Sequence, residues 1–377
     1  MNPTYCKVFE AVGDYSAIAR VCELDCRILL EANWDVTVVA KFLSEDLRPH
    51  VQWRPLHVPE RAFAWKWATA RRFLLQARGA DHFDCVHGDQ PQIADKCDLF
   101  RLHFLTRAAA NRGILAPWRG KRALTRAQEE IVLRLEDGFM KRLAHLPKEN
   151  APHVMFISEL MREEFTRLYG APARSSVEVN SAPPIALPSE SERQSARSQW
   201  ASEAGNRMVV GFLGGTHERK GFRHVLRALE ASNELFLLFG GPASEGFNIP
   251  DSLKSKMKVV GFVDDVNDFF AACDAFVVAA QFEPLGMVAL EASSRGVPVI
   301  AGEGVGALPT LLQYGCGSTW PLEAALEPLV KNAVHERASM NEGATRMCAE
   351  LGAKQYAQRL LALCDEARQR NVGRSRA

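Results

Sequence analysis

Two carboxylates, Glu283 and Glu291, lie eight residues apart around a loop that precedes a predicted helix. The apolar run 275–279 before them predicts a buried strand, so the loop leaves the carboxyl end of that strand. Free amides at residues 286–288 open the helix and can hold a phosphate with the help of the helix dipole. These residues are Gly286, Met287 and Val288, directly after Leu285.

The two carboxylates suit a ligand that carries hydroxyl groups on both sides of such a phosphate. Glu291, about a turn into the helix, can accept hydrogen bonds from ribose hydroxyls. Glu283, before the helix, can reach the hydroxyls of whatever the phosphate carries. The alternative is an ordinary strand–loop–helix with two solvated glutamates.

Three further loops of the second half follow predicted strands, and therefore belong to the same edge of a parallel sheet. They contain Gly214, Gly215 and Thr216 with Arg219 and Lys220, then Gly240 and Gly241, then Phe262 and Val263. The two cations and the glycines suit a diphosphate leaving group, and the backbone at residues 262–263 could meet the edge of a base. Taken alone, residues 219–221 could equally be a surface turn.

Length and composition restrict the class of protein. A chain of 377 residues suits two domains, and 47% hydrophobic with 24% charged residues is ordinary for a globular protein. The net charge of +1 gives no global field for nucleic acid. Nine scattered cysteines without a C-x2-C pair argue against a zinc site and predict buried thiols in a reducing cytosol. No signal-like segment or long apolar run is present, which predicts a cytoplasmic protein.

Alternating strand and helix patterns predict two doubly wound α/β domains. A strand at 6–12, a helix at 17–31 capped by Ser16 and a strand at 35–40 open the first domain. The predicted divisions are a first domain at 1–183, an irregular linker at 184–206, a second domain at 207–352 and a C-terminal helix at 353–377 that packs back on the first domain.

Two basic stretches of the first half also contain tryptophan. The predicted helix 61–78 is one, and residues 107–126, which contain Trp118 and no acidic residue, are the other. Basic and aromatic residues together favour an anionic membrane surface or an anionic glycan as partner. A solvated face that pairs with acids elsewhere is the alternative, and nucleic acid is disfavoured because no nucleic-acid motif is present.

The second half resembles the retaining glycosyltransferases of family 4, and within that family it looks most like bacterial lipopolysaccharide-core glucosyltransferases. The resemblance rests on residues 211–215, 219–221 and 261–263, on the two glutamates of the E-x7-E spacing, and on residues 296–299. In the first half it is looser and rests on Gly13, residues 102–103, 156–158 and 169–170. It implies the GT-B fold, in which two Rossmann-like domains face each other across a cleft.

The resemblance also implies roles for individual residues. Arg219 and Lys220 would neutralise the diphosphate, so that no metal or other cofactor is expected. Glu283 would bind the hydroxyls of the donor sugar, and His103 would sit beneath that sugar. The remaining donor contacts would come from Gly13, Gly215, Thr216, Phe262, Val263, Leu285, Gly286, Met287, Val288 and Glu291.

Two departures from the family pattern are visible. The first loop reads Gly13-Asp14 instead of a glycine pair, and Asn180-Ser181 stands where Asn-Gly is usual. A histidine that ends a strand is often structural, so Asp95 or Asp98 could provide the polar group instead of His103.

The resulting hypothesis is a retaining hexosyltransferase. It would use a nucleotide-diphosphate sugar, by resemblance a UDP-sugar, and a cell-envelope glycan or glycolipid acceptor such as lipopolysaccharide core or a capsule precursor. The enzyme would act in the cytoplasm, as a peripheral protein at the inner face of the plasma membrane. The alternatives are an enzyme like UDP-N-acetylglucosamine 2-epimerase, which needs no acceptor, and a catalytically silent binding protein with the same fold.

Overall fold

A computed structural model of the chain describes residues 2–57, 63–79, 82–114, 123–216, 218–242 and 249–376. The chain divides into two compact units. The first contains the described residues up to Asn111, those from 123 to Asn180, and those from Lys354 onward. The second contains residues 112–114 and Ser181–Ala353.

The first unit is built on a seven-stranded sheet in which every neighbouring pair is parallel. The strands of this unit are β1 (Thr4–Val8), β2 (Ala11–Val12), β3 (Asp35–Ala40), β4 (Phe42–Leu43), β5 (Gln52–Pro55), β6 (Cys85–Gly88), β7 (Leu99–Leu102), β8 (His153–Phe156) and β9 (Ser175–Val177). The sheet order is β5-β3-β1-β6-β7-β8-β9, and β2 and β4 pair separately with each other. The direction of winding therefore changes between β1 and β6, as in doubly wound folds.

Helices cover both faces of this sheet. They are α1 (Ala17–Glu31), α2 (Phe63–Arg78), α3 (Thr106–Asn111), α4 (Ala123–Ala144), α5 (Glu159–Tyr169) and, at the end of the chain, α13 (Ala353–Arg376). Successive residues of β1 point to opposite faces, so Tyr5 packs with α1 and α13 while Cys6 packs with α2. Because both faces are covered, the strands are almost continuously buried, as expected for a parallel sheet.

The second unit contains a six-stranded parallel sheet. Its strands are β10 (Met208–Leu213), β11 (Leu235–Gly240), β12 (Met257–Gly261), β13 (Ala275–Val278), β14 (Val299–Gly302) and β15 (Gly317–Trp320). The order β12-β11-β10-β13-β14-β15 is that of a dinucleotide-binding fold, and the switch point lies between β10 and β13. The loops after these two strands are therefore the expected place for a ligand.

The helices of the second unit are α6 (Glu190–Trp200), α7 (Phe222–Glu230), α8 (Val266–Ala271), α9 (Met287–Ser294), α10 (Leu308–Tyr314), α11 (Glu327–His335) and α12 (Arg337–Leu351). The expectation of an irregular connection at 184–206 is wrong for its central part, because α6 lies within that range. Trp200 of this helix packs edge-on against Phe269 of α8, with 6.0 Å between the ring centroids. Helix α6 is therefore an integral part of the second unit.

The first predicted strand is also shorter than expected. Residues 6–12 were predicted as one strand, but β1 ends at Val8 and β2 begins at Ala11. The carbonyl oxygen of Glu10 between them accepts hydrogen bonds from the amides of Lys41 and Phe42, at 2.8 and 3.1 Å. The chain therefore leaves the main sheet here and pairs with β4 instead.

Candidate active site

Glycines allow the loops at the carboxyl edge of the second sheet to approach each other closely. Gly221 has a left-handed backbone (φ +69°), and a Cβ there would lie 1.8 Å from the carbonyl oxygen of Ala279. Gly241 (φ +125°) is similar, since its Cβ would lie 2.4 Å from the carbonyl oxygen of Gly214. The start of α7 is thus held against the end of β13, which brings the predicted cations to the switch point.

Lys220 and Arg219 both contact one oxygen of Glu283. Lys220 Nζ lies 2.5 Å and Arg219 Nη1 3.2 Å from Glu283 Oε2. All three side chains keep partial contact with solvent, and that of Lys220 is 25% exposed. Two cations and one carboxylate leave this group with a formal charge of +1. The structure therefore brings together the two cations and the carboxylate that were predicted from the sequence as ligand-binding residues.

The backbone fixes Glu283 in place. Its amide donates to the carbonyl oxygen of Gly304 at 2.8 Å, and its carbonyl oxygen accepts from the amide of Gly306 at 2.8 Å. These bonds form an isolated parallel bridge to Val305 outside the regular strands. The carboxylate therefore starts from a rigid backbone and not from a mobile loop.

The start of helix α9 lies beside the same carboxylate. Gly286 takes a left-handed conformation (φ +85°, ψ +61°) at the N-cap, and a Cβ there would lie 3.3 Å from Cγ of Glu283. Met287 and Val288 are the first residues of the helix, so their amides belong to the turn that lacks carbonyl partners within the helix. Glu291 lies one turn further and is half-buried. A positive helix end thus adjoins the two cations.

The other predicted donor contacts come from the ends of β10 and β12. An ideal Cβ on Gly214 would lie 3.8 Å from Cδ of Lys220, so the glycine loop passes close to that side chain. Gly215 and Thr216 follow and are partly exposed. Phe262, after β12, has an 83% exposed ring. The neighbouring Val263 packs inward, since a Cβ at Gly240 would lie 2.7 Å from its Cγ2.

In the first unit, His103 follows β7 and is hydrogen-bonded to Asp89, which follows β6. Nε2 of His103 lies 2.8 Å from Oδ1 of Asp89. Burial lowers the pKa of His103, and this effect outweighs the hydrogen bond to Asp89, which raises it. His103 is therefore neutral at neutral pH. An ionised carboxylate can only accept, so Nε2 carries the hydrogen and Nδ1 keeps a lone pair.

Asp89 is ionised because it belongs to a buried ionic cluster, defined here as Lys7, Asp25, Asp89 and Arg101. Lys7 Nζ lies 2.7 Å from Asp25 Oδ2 and 2.5 Å from Asp89 Oδ2, and Arg101 contacts both oxygens of Asp25 at 2.9 and 3.1 Å. Burial alone would raise the pKa of Asp89, but Lys7, His87, Arg101 and the hydrogen bond from His103 together outweigh it and hold that pKa well below the usual range. The cluster contains two cations and two carboxylates, so its charge is balanced.

The C-terminal helix completes this cluster. The hydroxyl group of Tyr356 in α13 accepts from Arg101 at 2.6 Å and donates to Asp25 at 2.5 Å. Nearby His87 is paired with the Tyr5 hydroxyl at 2.8 Å, and burial lowers the pKa of His87 to about 3. The two histidines therefore add no charge near neutral pH.

Asp89 was not predicted, and neither was the cluster that holds it. The available signal was a single charge inside an apolar strand, Lys7 in β1 and Arg101 in β7. The suggested alternatives to His103 lie elsewhere. Asp95 is paired with Arg71 at 2.5 Å, and Asp98 precedes β7, at the opposite edge of the sheet from His103.

Position 13 requires glycine for a steric reason. Gly13 has φ +132°, and a Cβ there would lie 2.7 Å from Cβ of Ser44. The loops that follow β2 and β4 can therefore approach each other only because residue 13 has no side chain.

Other predictions are only partly covered by the structure. The predicted helix 61–78 corresponds to α2, whereas residues 115–122, which include Trp118, lie outside the described residues. Within the described ranges, no group of three or more His, Cys, Asp and Glu side chains is arranged to hold a metal ion. In the same part of the chain no helix is both long and apolar enough to cross a membrane.

Comparison with known proteins identifies the second unit. Residues 207–332 match the family model of glycosyl transferases group 1. This segment is a group 1 glycosyltransferase domain. It contains all the second-unit residues that the sequence predicted for the site, from Gly214 to Glu291. The assignment to family 4 is compatible with this match.

The curated relatives match only part of the chain. The lipopolysaccharide core biosynthesis glycosyltransferase LpsD of Rhizobium meliloti (strain 1021) is 33% identical over 156 residues, which are 38% of this chain and 45% of that protein. The matches to three such relatives span between 29% and 64% of their lengths. The activity of the whole protein is therefore a matter for proposal.

Solved structures match the group 1 domain and the first unit together. WaaG, a glycosyltransferase involved in lipopolysaccharide biosynthesis, has a TM-score of 0.68 at 16% identity and covers 97% of this chain and 98% of its own. Anabaena Alr3699/HepE, crystallised with UDP-glucose, has a TM-score of 0.66 at 16% identity and covers 96% and 99%. At these identities the likeness shows the fold alone. The predicted GT-B fold, with two Rossmann-like domains, is confirmed.

Proposed function

We propose that this protein is a retaining hexosyltransferase that takes its sugar from a UDP-sugar donor. The acceptor is a cell-envelope glycan or glycolipid of the kind found in lipopolysaccharide core or capsule. The observation that carries the proposal is the contact of Lys220 and Arg219 with Glu283 beside the start of α9, within a group 1 glycosyltransferase domain. The relatives named for lipopolysaccharide core synthesis and the neighbour crystallised with UDP-glucose support the substrate classes.

Lys220 and Arg219 serve the departing diphosphate. When the bond between the sugar carbon and the phosphate oxygen breaks, negative charge grows on that oxygen. Cations and helix amides that are already in position stabilise this charge without reorganising. In this proposal Glu283 exchanges its contact with Lys220 for hydroxyl groups of the donor sugar, and the two cations are released to phosphate oxygens. They supply the charge that a metal ion supplies in other transferases.

Retention follows from attack on the face that the phosphate leaves. The acceptor hydroxyl oxygen forms the new bond to the sugar carbon, the bond to the phosphate oxygen breaks, and the departing phosphate takes the hydroxyl proton. In this proposal Glu291 binds the ribose and the exposed ring of Phe262 stacks on the base. His103 uses the lone pair of Nδ1 to accept a hydrogen bond from a substrate hydroxyl. Asp89 keeps it in the required tautomer.

Thermal unfolding with nucleotides tests the donor site. UDP, GDP and ADP, and then their glucose conjugates, are added to the wild type and to Lys220→Ala and Glu291→Ala. A ligand at a hundredfold excess over its Kd stabilises the folded state by about 2.7 kcal/mol. We expect a shift with UDP and UDP-glucose that both variants lose. Lys331→Ala, which removes an exposed lysine of α11, is the matched control and keeps the shift.

Product analysis tests the reaction class. Slow hydrolysis of UDP-glucose that first releases α-glucose, followed by proton NMR, is expected of a retaining transferase. Formation of an epimerised UDP-sugar without acceptor would indicate a 2-epimerase. Absence of any shift or turnover with all the nucleotides would contradict the proposal and favour a silent binding protein.

A further inference from the structure

Two aromatic rings contact each other on the surface of the first unit. Tyr15 is 53% exposed and Phe42 is 44% exposed, and their ring centroids lie 5.6 Å apart with the planes inclined by 38°. Large apolar side chains of the described residues are mostly buried, so two exposed rings in contact form an unusual patch. We call Tyr15 and Phe42 the aromatic platform.

The platform lies at the ligand-binding edge of the first sheet. Phe42 begins β4, directly after the carboxyl end of β3, and Tyr15 lies between β2 and α1. The pairing of β2 with β4 extends beyond the ends of β1 and β3 and brings the two loops together. In doubly wound sheets this edge, next to the switch point, binds ligands.

The backbone and one hydroxyl group hold the platform rigid. The amide of Tyr15 donates to the carbonyl oxygen of Gly13 at 2.9 Å, and its hydroxyl donates to the carbonyl oxygen of Leu43 at 3.3 Å. The amide of Phe42 donates to Glu10 at 3.1 Å. A surface whose rings are already ordered loses little conformational freedom when it binds a ligand.

The charges around the rings indicate the class of ligand. Lys41 Nζ lies 5.0 Å from the ring centroid of Phe42. Asp14, beside Tyr15 in the chain, pairs with Arg20 at 3.0 Å, while exposed Glu45 and Asp46 follow Phe42 and are themselves followed by Arg48. A sugar ring has an apolar face of C–H groups that packs on an aromatic ring, and hydroxyl groups at its rim that need both donors and acceptors. Arg20, Lys41 and Arg48 balance these three carboxylates, so the patch has no net positive charge that would attract an anionic lipid surface.

We infer that the aromatic platform is a subsite for an uncharged pyranose ring of the acceptor glycan. This inference rests on the proposed function, since it assigns the acceptor side of the same reaction. The platform packs on the C–H face of the sugar, while Lys41 and the neighbouring carboxylates contact its hydroxyl groups. The subsite thus recognises the shape of a pyranose and leaves an anionic group to be bound elsewhere.

Ligand-observed NMR tests the platform directly. Methyl α-D-glucopyranoside, methyl α-D-galactopyranoside and methyl α-D-mannopyranoside are titrated separately by saturation transfer, with UDP present to occupy the donor site. We expect at least one to bind the wild type, with the strongest transfer to protons of one ring face. Tyr15→Ala and Phe42→Ala should each weaken that binding by about fivefold. Phe42→Tyr, which keeps the ring, and Leu312→Ala, which removes an exposed side chain of the second unit, should change it less than twofold.

The outcomes separate this inference from the proposed function. The thermal shift with UDP is recorded for every variant, and we expect it to persist because the platform takes no part in donor binding. If the wild type shows no UDP shift, the proposed function fails while the sugar titrations still stand. The inference is overturned if none of the three glycosides binds, or if both alanine variants bind as the wild type does. It is also overturned if those variants lose binding only to phosphatidylglycerol–phosphatidylethanolamine vesicles.

Discussion

Replacement of Lys7 by methionine removes one charge from the buried ionic cluster. The side chains of Lys7, Asp25, Asp89 and Arg101 have no exposed surface, and the cluster holds two cations and two carboxylates. Methionine has a similar length but no charge, so Lys7→Met leaves two buried carboxylates with one guanidinium. Loss of one partner from a buried ion pair costs about 3–5 kcal/mol, and we expect a destabilisation of the first unit of that size.

A second substitution should recover part of the loss. Asp89→Asn keeps the shape of the side chain and removes its negative charge. In the double variant with Lys7→Met, the bidentate pair of Arg101 and Asp25 remains and its charges balance. The two changes therefore should not be additive. We expect the double variant to be more stable than the sum of the single effects predicts, by about 2 kcal/mol.

Urea unfolding of the four proteins at pH 7 measures this coupling. Hydrogen exchange of peptides from β1 and β7 assigns the change to the first unit, since the two units need not unfold together. Lys331→Met, at an exposed lysine paired with Glu327, is the control and should change stability by less than about 0.5 kcal/mol. Additivity of Lys7→Met and Asp89→Asn within that margin would refute the argument that charge balance holds the cluster together.

Three further substitutions test other parts of the chain. Thr106 donates two hydrogen bonds to Glu136, and burial raises the pKa of Glu136 to about 7. The folded state therefore binds this proton more tightly than the unfolded state, and the advantage, complete below about pH 4.5, is lost as the pH rises through 7. Wild type should lose about 3 kcal/mol relative to Glu136→Gln across that range in denaturant titrations, and a constant difference would contradict this. Gly221→Ala, whose Cβ meets Ala279, should cost about 3 kcal/mol or more in thermal unfolding. Gly138→Ala, at a position in the middle of α4 with open space around it, should stabilise the folded state by about 0.5–1 kcal/mol. Equal effects of the two alanine substitutions would refute the conclusion that position 221 requires glycine.

The order of strands and helices could be predicted because the spacing of apolar residues indicates which face of each strand or helix is buried. Helix α6 was missed since only one of its residues, Ala196, is buried, so its pattern has no apolar stripe. Its capping box was the available signal: Ser189 caps the helix and Glu192 bonds back to it. Polar helix signals of this kind identify a helix even where hydrophobic periodicity cannot.

The candidate site was predictable to a different degree in each unit. Lys220 and Glu283 are distant in sequence, but each follows a strand of one parallel sheet, so the topology alone brings them to the same edge. Their direct contact was not predicted, since the resemblance assigned Glu283 to the sugar. The same topology would also bring Asp89, after β6, to His103, after the neighbouring β7, although Asp89 was not singled out. The contact of Lys7 with Asp89 could not be predicted, because it depends on which face of β1 Lys7 occupies.

The two lysines show how burial decides what an ion pair can do. Lys7 is fully buried and contacts two carboxylates, so any exchange of partner would leave a charge unpaired in the interior at a cost of several kcal/mol. Lys220 also contacts a carboxylate at 2.5 Å, but both side chains reach solvent. Solvent therefore screens the charges of Lys220 and Glu283 more than that of Lys7, and exchange of Glu283 for another anion leaves no unpaired charge in the interior. The Lys220–Glu283 pair, which can open at lower cost, suits a site that binds and releases phosphate. The buried contacts of Lys7 cannot open in this way, and they hold Asp89, and through it His103, in one state.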